Sequence, residues 1–157
     1  MRHGTLLTGR AILLTSRPVG EVGPEHFALV RVRVAAPRPG QLLVRNTWMS
    51  LEPYLRHDPG LASPHPGEVI PGEAVGEVID SLAAAVPVHA PVAHFAGWRE
   101  YAVVNAADTS VIDTTLSPAE TYLGSQDQII QGLDRAPTAL IAALRGRLAG
   151  TVLVRLS

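Results

Sequence analysis

Fourteen glycines and thirteen prolines break this 157-residue chain at short intervals, and that punctuation constrains its fold more than any other feature. Between the breaks lie short runs rich in Val, Leu and Ile: Ala11–Thr15, Phe27–Val34, Gln41–Trp48, Ala74–Asp80, Val92–Phe95 and Arg99–Val104. Apolar runs of this length, bounded by Gly or Pro, read as strands. Phe27–Val34 alternates at its end, with Arg31 and Arg33 on one face. Many short strands joined by Gly/Pro turns predict an all-β barrel or sandwich.

Helices are expected to be few and short. Ser117-Pro118-Ala119-Glu120 has the form of a capping box with proline at the first helical position, which predicts a helix from there to about Leu123. A second is predicted from Asp134, with Pro137 tolerated in its first turn and Ala136, Leu140, Ile141 and Leu144 as its buried stripe. Gly146 or Gly150 ends it, and Thr151–Leu156 then forms a closing strand. The region from Gly60 to Pro71, which contains Pro64 and Pro66, is the most loop-like.

Composition narrows the chemistry. A hydrophobic content of 46% and a mean hydropathy of +0.19 fit a chain that buries a sizeable core. Aromatics make up only 4%, so aliphatic side chains must fill it. With a net charge of −1 and no run of like charges, neither nucleic acid nor a membrane surface is an expected partner, and a cytoplasmic location is the expectation. Cysteine is absent, which excludes disulfides, thiolate nucleophiles and sulfur-ligated zinc. Lysine is absent too, all thirteen cations being Arg, so Schiff-base catalysis and a phosphate-loop lysine are excluded.

Three stretches resemble one branch of the zinc-independent medium-chain dehydrogenase/reductases, that of the prostaglandin, alkenal and curcumin reductases. Leu14-Thr-Ser-Arg-Pro-Val-Gly20 is similar to its opening strand and turn. Asn46-Thr-Trp-Met-Ser-Leu-Glu-Pro-Tyr-Leu-Arg56 is similar to its SLDPYMR segment, and Phe95-Ala-Gly-Trp-Arg-Glu-Tyr-Ala-Val103 to its GGWQEYAV strand. Ile130-Gln-Gly-Leu-Asp-Arg-Ala-Pro137 and the Leu-rich stretch after it resemble the end of such a protein. The resemblance implies a GroES-like β-barrel, closed or extended by the C-terminal strands and carrying two short helices. It divides the single domain of residues 1–157 into a family N-terminal part, 1–124, and a family C-terminal return, 126–157. Between them, at Gly124-Ser125-Gln126, a dinucleotide-binding domain is missing. No G-x-G-x-x-G follows a strand, so no cofactor is expected.

The resemblance also suggests a site. The position of Tyr54 lines the substrate cleft in full-length relatives, so Tyr54 is either a proton donor or orienting group or a barrel-wall Tyr with a satisfied hydroxyl. Glu52 stands where relatives carry Asp, and is either a base or a brace for the turn. Glu73 and His94 replace a small or neutral residue and a glycine at positions bordering the barrel mouth. Two new ionisable groups there are either solvated rim residues or mark acid/base work, with Tyr54 or His94 as acid and Glu52 or Glu73 as base. Met49, Arg56, Phe95 and Trp98 are the expected substrate contacts, although Trp98 alternatively belongs to the core. No metal site is expected, since the spacing of His57, Asp58 and His65 matches none.

The expected function is a cofactor-independent cyclase or isomerase acting on an oxygenated, polyketide-like small molecule. The alternatives are a non-catalytic binder of a small hydrophobic ligand, or a reductase fragment that needs a partner domain. Loss of the partner domain exposes an apolar interdomain face, to be covered by barrel closure around a ligand or by homodimerisation.

Overall fold

The computed structural model describes residues 7–51, 64–148 and 150–156. Strands β1 (Leu7–Leu14) and β2 (Phe27–Val34) form an antiparallel ribbon in which Ala11 faces Val30. In β2 Arg31 and Arg33 are exposed on one face, as expected, while Val30, Val32 and Val34 are all half-buried.

The remaining strands belong to one sheet built around β3 (Gln41–Ser50). One edge of β3 pairs with β4 (Ala74–Ser81), followed outward by β5 (Pro91–His94) and β7 (Ser110–Val111). The other edge pairs first with β6 (Tyr101–Asn105) and then, over Trp48–Ser50, with β9 (Val152–Arg155). Beyond β9 lies β8 (Gln128–Gln131), which forms the one parallel pair among the described strands. The apolar run of β3 explains its place, because a strand covered on both faces needs continuous rather than alternating hydrophobicity. Leu42, Val44 and Met49 are fully buried. Two register shifts, at Leu43/Val44 and Asn46/Trp48, bend the strand so that it serves successive neighbours.

The ribbon closes against this sheet through backbone bonds. Ile12 N–H donates to the Trp98 carbonyl at 2.9 Å, Ile70 N–H to Ile12 at 3.1 Å, and Leu14 N–H to Glu68 at 3.0 Å. The all-β, barrel-like expectation is therefore met. Corrections are local. The segment opening at Ser117 is a 3-10 turn, Ala119–Leu123, without a side-chain cap; its position is set by Leu123, buried with Val75, Ile112 and Leu153. The second helix opens as a 3-10 turn at Leu133–Arg135 and continues as α1 (Ala136–Leu144), so a single α-helix is found among the described residues. Gly146, at φ +74, ends it.

The C-terminal segment fills the centre of the molecule. Leu133, Ala136, Ala139 and Leu140 of the helical stretch and Val152 and Val154 of β9 pack with Ile12, Leu14, Met49, Leu51, Ile70, Ala74 and Trp98. The junction at Gly124-Ser125-Gln126 is knit into this return. Ser125 Oγ donates to the Asp127 carboxylate at 2.8 Å, and Thr151 N–H donates to the same oxygen at 2.9 Å. These two bonds hold the Asp127 pKa below the usual carboxylate range. Gly150, at φ +77, is needed here, because any Cβ would collide with the Asp127 carboxylate. Leu140→Ala removes a fully buried side chain from this core and is expected to cost about 2–5 kcal/mol in urea unfolding. A loss below about 1 kcal/mol would show that the return does not share the core.

Candidate functional site

The most structured polar group lies where β3, β5 and the turn after β5 meet. Asn46, buried on β3, uses its whole amide: Nδ2 donates to the carbonyls of Ala96 and Arg99, both at 3.0 Å, and Oδ1 accepts from His94 Nε2 at 2.8 Å. His94 Nδ1 accepts the Ala96 N–H at 2.9 Å. Because Nδ1 is an acceptor, the ring proton must sit on Nε2, which fixes a neutral imidazole with both nitrogens engaged. Burial, reinforced by the nearby Arg99 charge, pushes the His94 pKa down to about 4. In this arrangement His94 braces the turn and holds no proton free for a ligand.

The turn itself is tightly constrained. Gly97 N–H donates to the Gly72 carbonyl at 2.9 Å, and a Cβ on Gly97 would sit 2.9 Å from that oxygen. The next residue, Trp98, takes φ +56, a left-handed conformation costly for a bulky side chain. Two anchors hold it there. Its indole is buried and stacked on Phe27 at a centroid distance of 6.1 Å, and the Trp98 backbone N–H donates to Met49 Sδ at 3.0 Å. Met49 and Trp98, expected as substrate contacts, are thus interior packing residues; for Trp98 this is the core alternative.

Phe95 differs: it is 46% exposed beside this turn, while its carbonyl accepts the Gly72 N–H at 3.2 Å. Glu73 is exposed, and its carbonyl accepts the Ser50 N–H at 3.0 Å, so it lies where the chain leaves β3 toward Glu52. Glu52, Tyr54 and Arg56 lie outside the described residues. Of the proposed acid/base set, only Glu73 and His94 can therefore be placed, one exposed and one buried. Asn46 and Arg99 were not singled out in the sequence, although a lone Asn inside an apolar strand is itself a signal for a buried hydrogen-bonded group.

No group of three or more His, Asp or Glu arranged to hold a metal ion occurs among the described residues. Nor do the described residues include a doubly wound dinucleotide-binding fold. Such a fold needs parallel strands with crossover helices and a glycine-rich turn at a helix N-terminus. Here one parallel pair, β8 with β9, is joined through the single α-helix.

Comparison with known proteins agrees with this architecture. Residues 10–112 match the family described as the N-terminal domain of oxidoreductase. The chain belongs to that family, and so to the barrel half of the medium-chain dehydrogenase/reductases. It is 34% identical over 104 residues to the NADPH-dependent curcumin reductase of Escherichia coli, a match covering 63% of this chain and 30% of that protein. The structure of CurA from Vibrio vulnificus in complex with NADPH superposes with a TM-score of 0.61 at 25% identity, over 87% of this chain and 47% of that one. A thermostable alcohol dehydrogenase from Pyrobaculum aerophilum shares the fold, with a TM-score of 0.54 at 18% identity over 94% of this chain and 65% of that one. The chain thus spans about a third of the curated reductase and about half of CurA.

The His94 geometry has a pH signature. Its folded pKa lies below its ordinary value of 6.5, so its contribution to stability is complete above pH 6.5 and is lost as pH falls toward 4. The loss amounts to about 3 kcal/mol. Urea unfolding of wild type and His94→Gln at pH 7 and pH 4 checks this, with the wild type expected to lose about that much more than the variant. Parallel losses would contradict a buried neutral imidazole.

Proposed function

We propose that this chain is the substrate-side half of an oxidoreductase: a barrel that binds a small, oxygenated, partly apolar molecule and works with a dinucleotide-binding domain supplied from outside these 157 residues. One observation carries the reading. The barrel core is filled by its own return segment, yet the described residues offer no dinucleotide fold. The names of its relatives support it, since both the E. coli reductase and the V. vulnificus structure are NADPH proteins of two to three times the matched length. The chain's part in such a reaction is to bind and orient substrate at the mouth bordered by Glu73 and Phe95. Tyr54 and Glu52 are the groups proposed to hold or move a proton there, with Arg56 as a further substrate contact.

A second reading keeps a self-contained role, as a cofactor-independent cyclase or isomerase. It is favoured by Glu73, an exposed carboxylate with no side-chain hydrogen bond or ion pair among the described residues. Its base would be Glu73 and its acid Tyr54.

One experiment separates the readings. The 157-residue chain is titrated with NADPH, and a chimera carrying the dinucleotide-binding domain of the E. coli reductase between Gly124 and Gln126 is titrated in parallel. The chain alone is expected to show no saturable binding, and the chimera to bind NADPH and reduce an enone. Tight NADPH binding by the chain alone would overturn the proposal. Nicotinamide-free turnover of a hydroxy-enone, abolished by Glu73→Gln or Tyr54→Phe, would establish the second reading instead.

A further inference from the structure

Arg99 differs from the three arginines that pair with carboxylates. Arg10, Arg45 and Arg145 each contact a carboxylate, Glu100, Glu77 and Glu21 respectively. Arg99 is half-buried and has no carboxylate partner among the described residues; its Nε donates to the Gly97 carbonyl at 2.8 Å and its Nη2 to the Ile70 carbonyl at 3.3 Å. Among the described residues two of its five N–H donors find acceptors, and no carboxylate pairs with it to offset the desolvation of the cation. That desolvation pushes its pKa down to about 10, which leaves it charged.

The guanidinium is held rather than free to swing into water. The left-handed turn at Trp98, pinned by Met49 Sδ and the Phe27 stack, returns the Arg99 side chain onto Gly97 and Ile70. Asn46 grips the Arg99 carbonyl, and the neutral His94 adds no competing charge. On the same corner, where Gly72 and Ala96 bridge, the Phe95 ring is exposed. Glu73, next in sequence to Gly72, adds one negative charge, which disfavours a dianion over a monocarboxylate.

From this geometry we propose that the Ile70–Gly72 and Phe95–Arg99 corner is a binding site for an apolar monocarboxylic acid, with its carboxylate on Arg99 and its aryl or alkenyl body against Phe95. Planar guanidinium recognition of a carboxylate is the chemistry an unpaired, positioned Arg is suited to. The site does not depend on a dinucleotide domain, so binding by the 157-residue chain alone tests it whether or not the reductase reading holds.

The test is titration of the chain with trans-cinnamate, cinnamide and inorganic phosphate, followed through the Arg99 Nε–H and the Ala96 and Gly97 amide resonances. Cinnamate is expected to give saturable shifts at these positions, with cinnamide at least ten-fold weaker, as loss of a charge-assisted pair implies, and phosphate at least ten-fold weaker because it has no apolar body for Phe95 and its dianion is opposed by Glu73. Arg99→Gln is expected to weaken cinnamate at least ten-fold. The exposed Phe95→Ala, which leaves the core intact, should weaken it several-fold even if Arg99→Gln fails to fold. Absence of saturable shifts with cinnamate, equal affinity for cinnamide or phosphate, or unchanged affinity in Phe95→Ala would overturn the proposal.

Discussion

Everything in this molecule depends on strand β3 having neighbours on both edges along its length. Its first half is flanked by β4 and β6, and its last residues by β4 and β9. The β9 contact matters most, because β9 arrives from the far end of the chain. Leu51 N–H continues the ladder to Val152 at 3.2 Å, and Leu156 N–H returns to Thr47 at 2.8 Å. Without β9, this stretch of β3 would present an unpaired edge and the buried Met49 would lose part of its cover. The return segment is thus a structural member of the barrel. That is why the described residues, which include no dinucleotide fold, can still enclose a core.

The same strand organises the polar corner. Asn46 lies on β3 at the register shift before Trp48, where a side chain can reach the turn after β5. Its hydrogen bonds to His94, Ala96 and Arg99 convert an irregular turn into a fixed one. The strained Trp98 and the carboxylate-free Arg99 depend on that fixing, as strained residues persist only where their surroundings over-determine them. Structure and chemistry meet at this corner, since the bonds that brace the barrel also position the exposed Phe95 and the Arg99 cation.

Most strands were legible because their signal is local. Phe27–Val34 was read with the boundaries it has, and the runs opening at Gln41 and Ala74 extend only one or two residues further. The four-residue β8 and two-residue β7 went unread, because strands so short carry no periodicity and exist only through their partners. The capping pattern at Ser117 misled for a related reason: tertiary burial of Leu123 and the turn at Gly124 allow only a 3-10 turn there. The site was legible in part. The resemblance marks His94 as an ionisable group at the barrel mouth, but its buried, bracing role depends on Asn46, 48 positions away in sequence. Arg99 carries no signal of its own in the sequence, since only the left-handed turn before it determines where its guanidinium lies.

The central claim is that residues before and after the Gly124–Gln126 junction form one cooperative core. Native-state hydrogen exchange tests it most directly, through the amides of Ile12, Met49, Leu140 and Val154. The account predicts that all four exchange only through global unfolding, with a common free energy and a common denaturant dependence. Exchange of Leu140 and Val154 through a separate, lower-energy opening would contradict it, and would make the return an appendage to a barrel that stands without it.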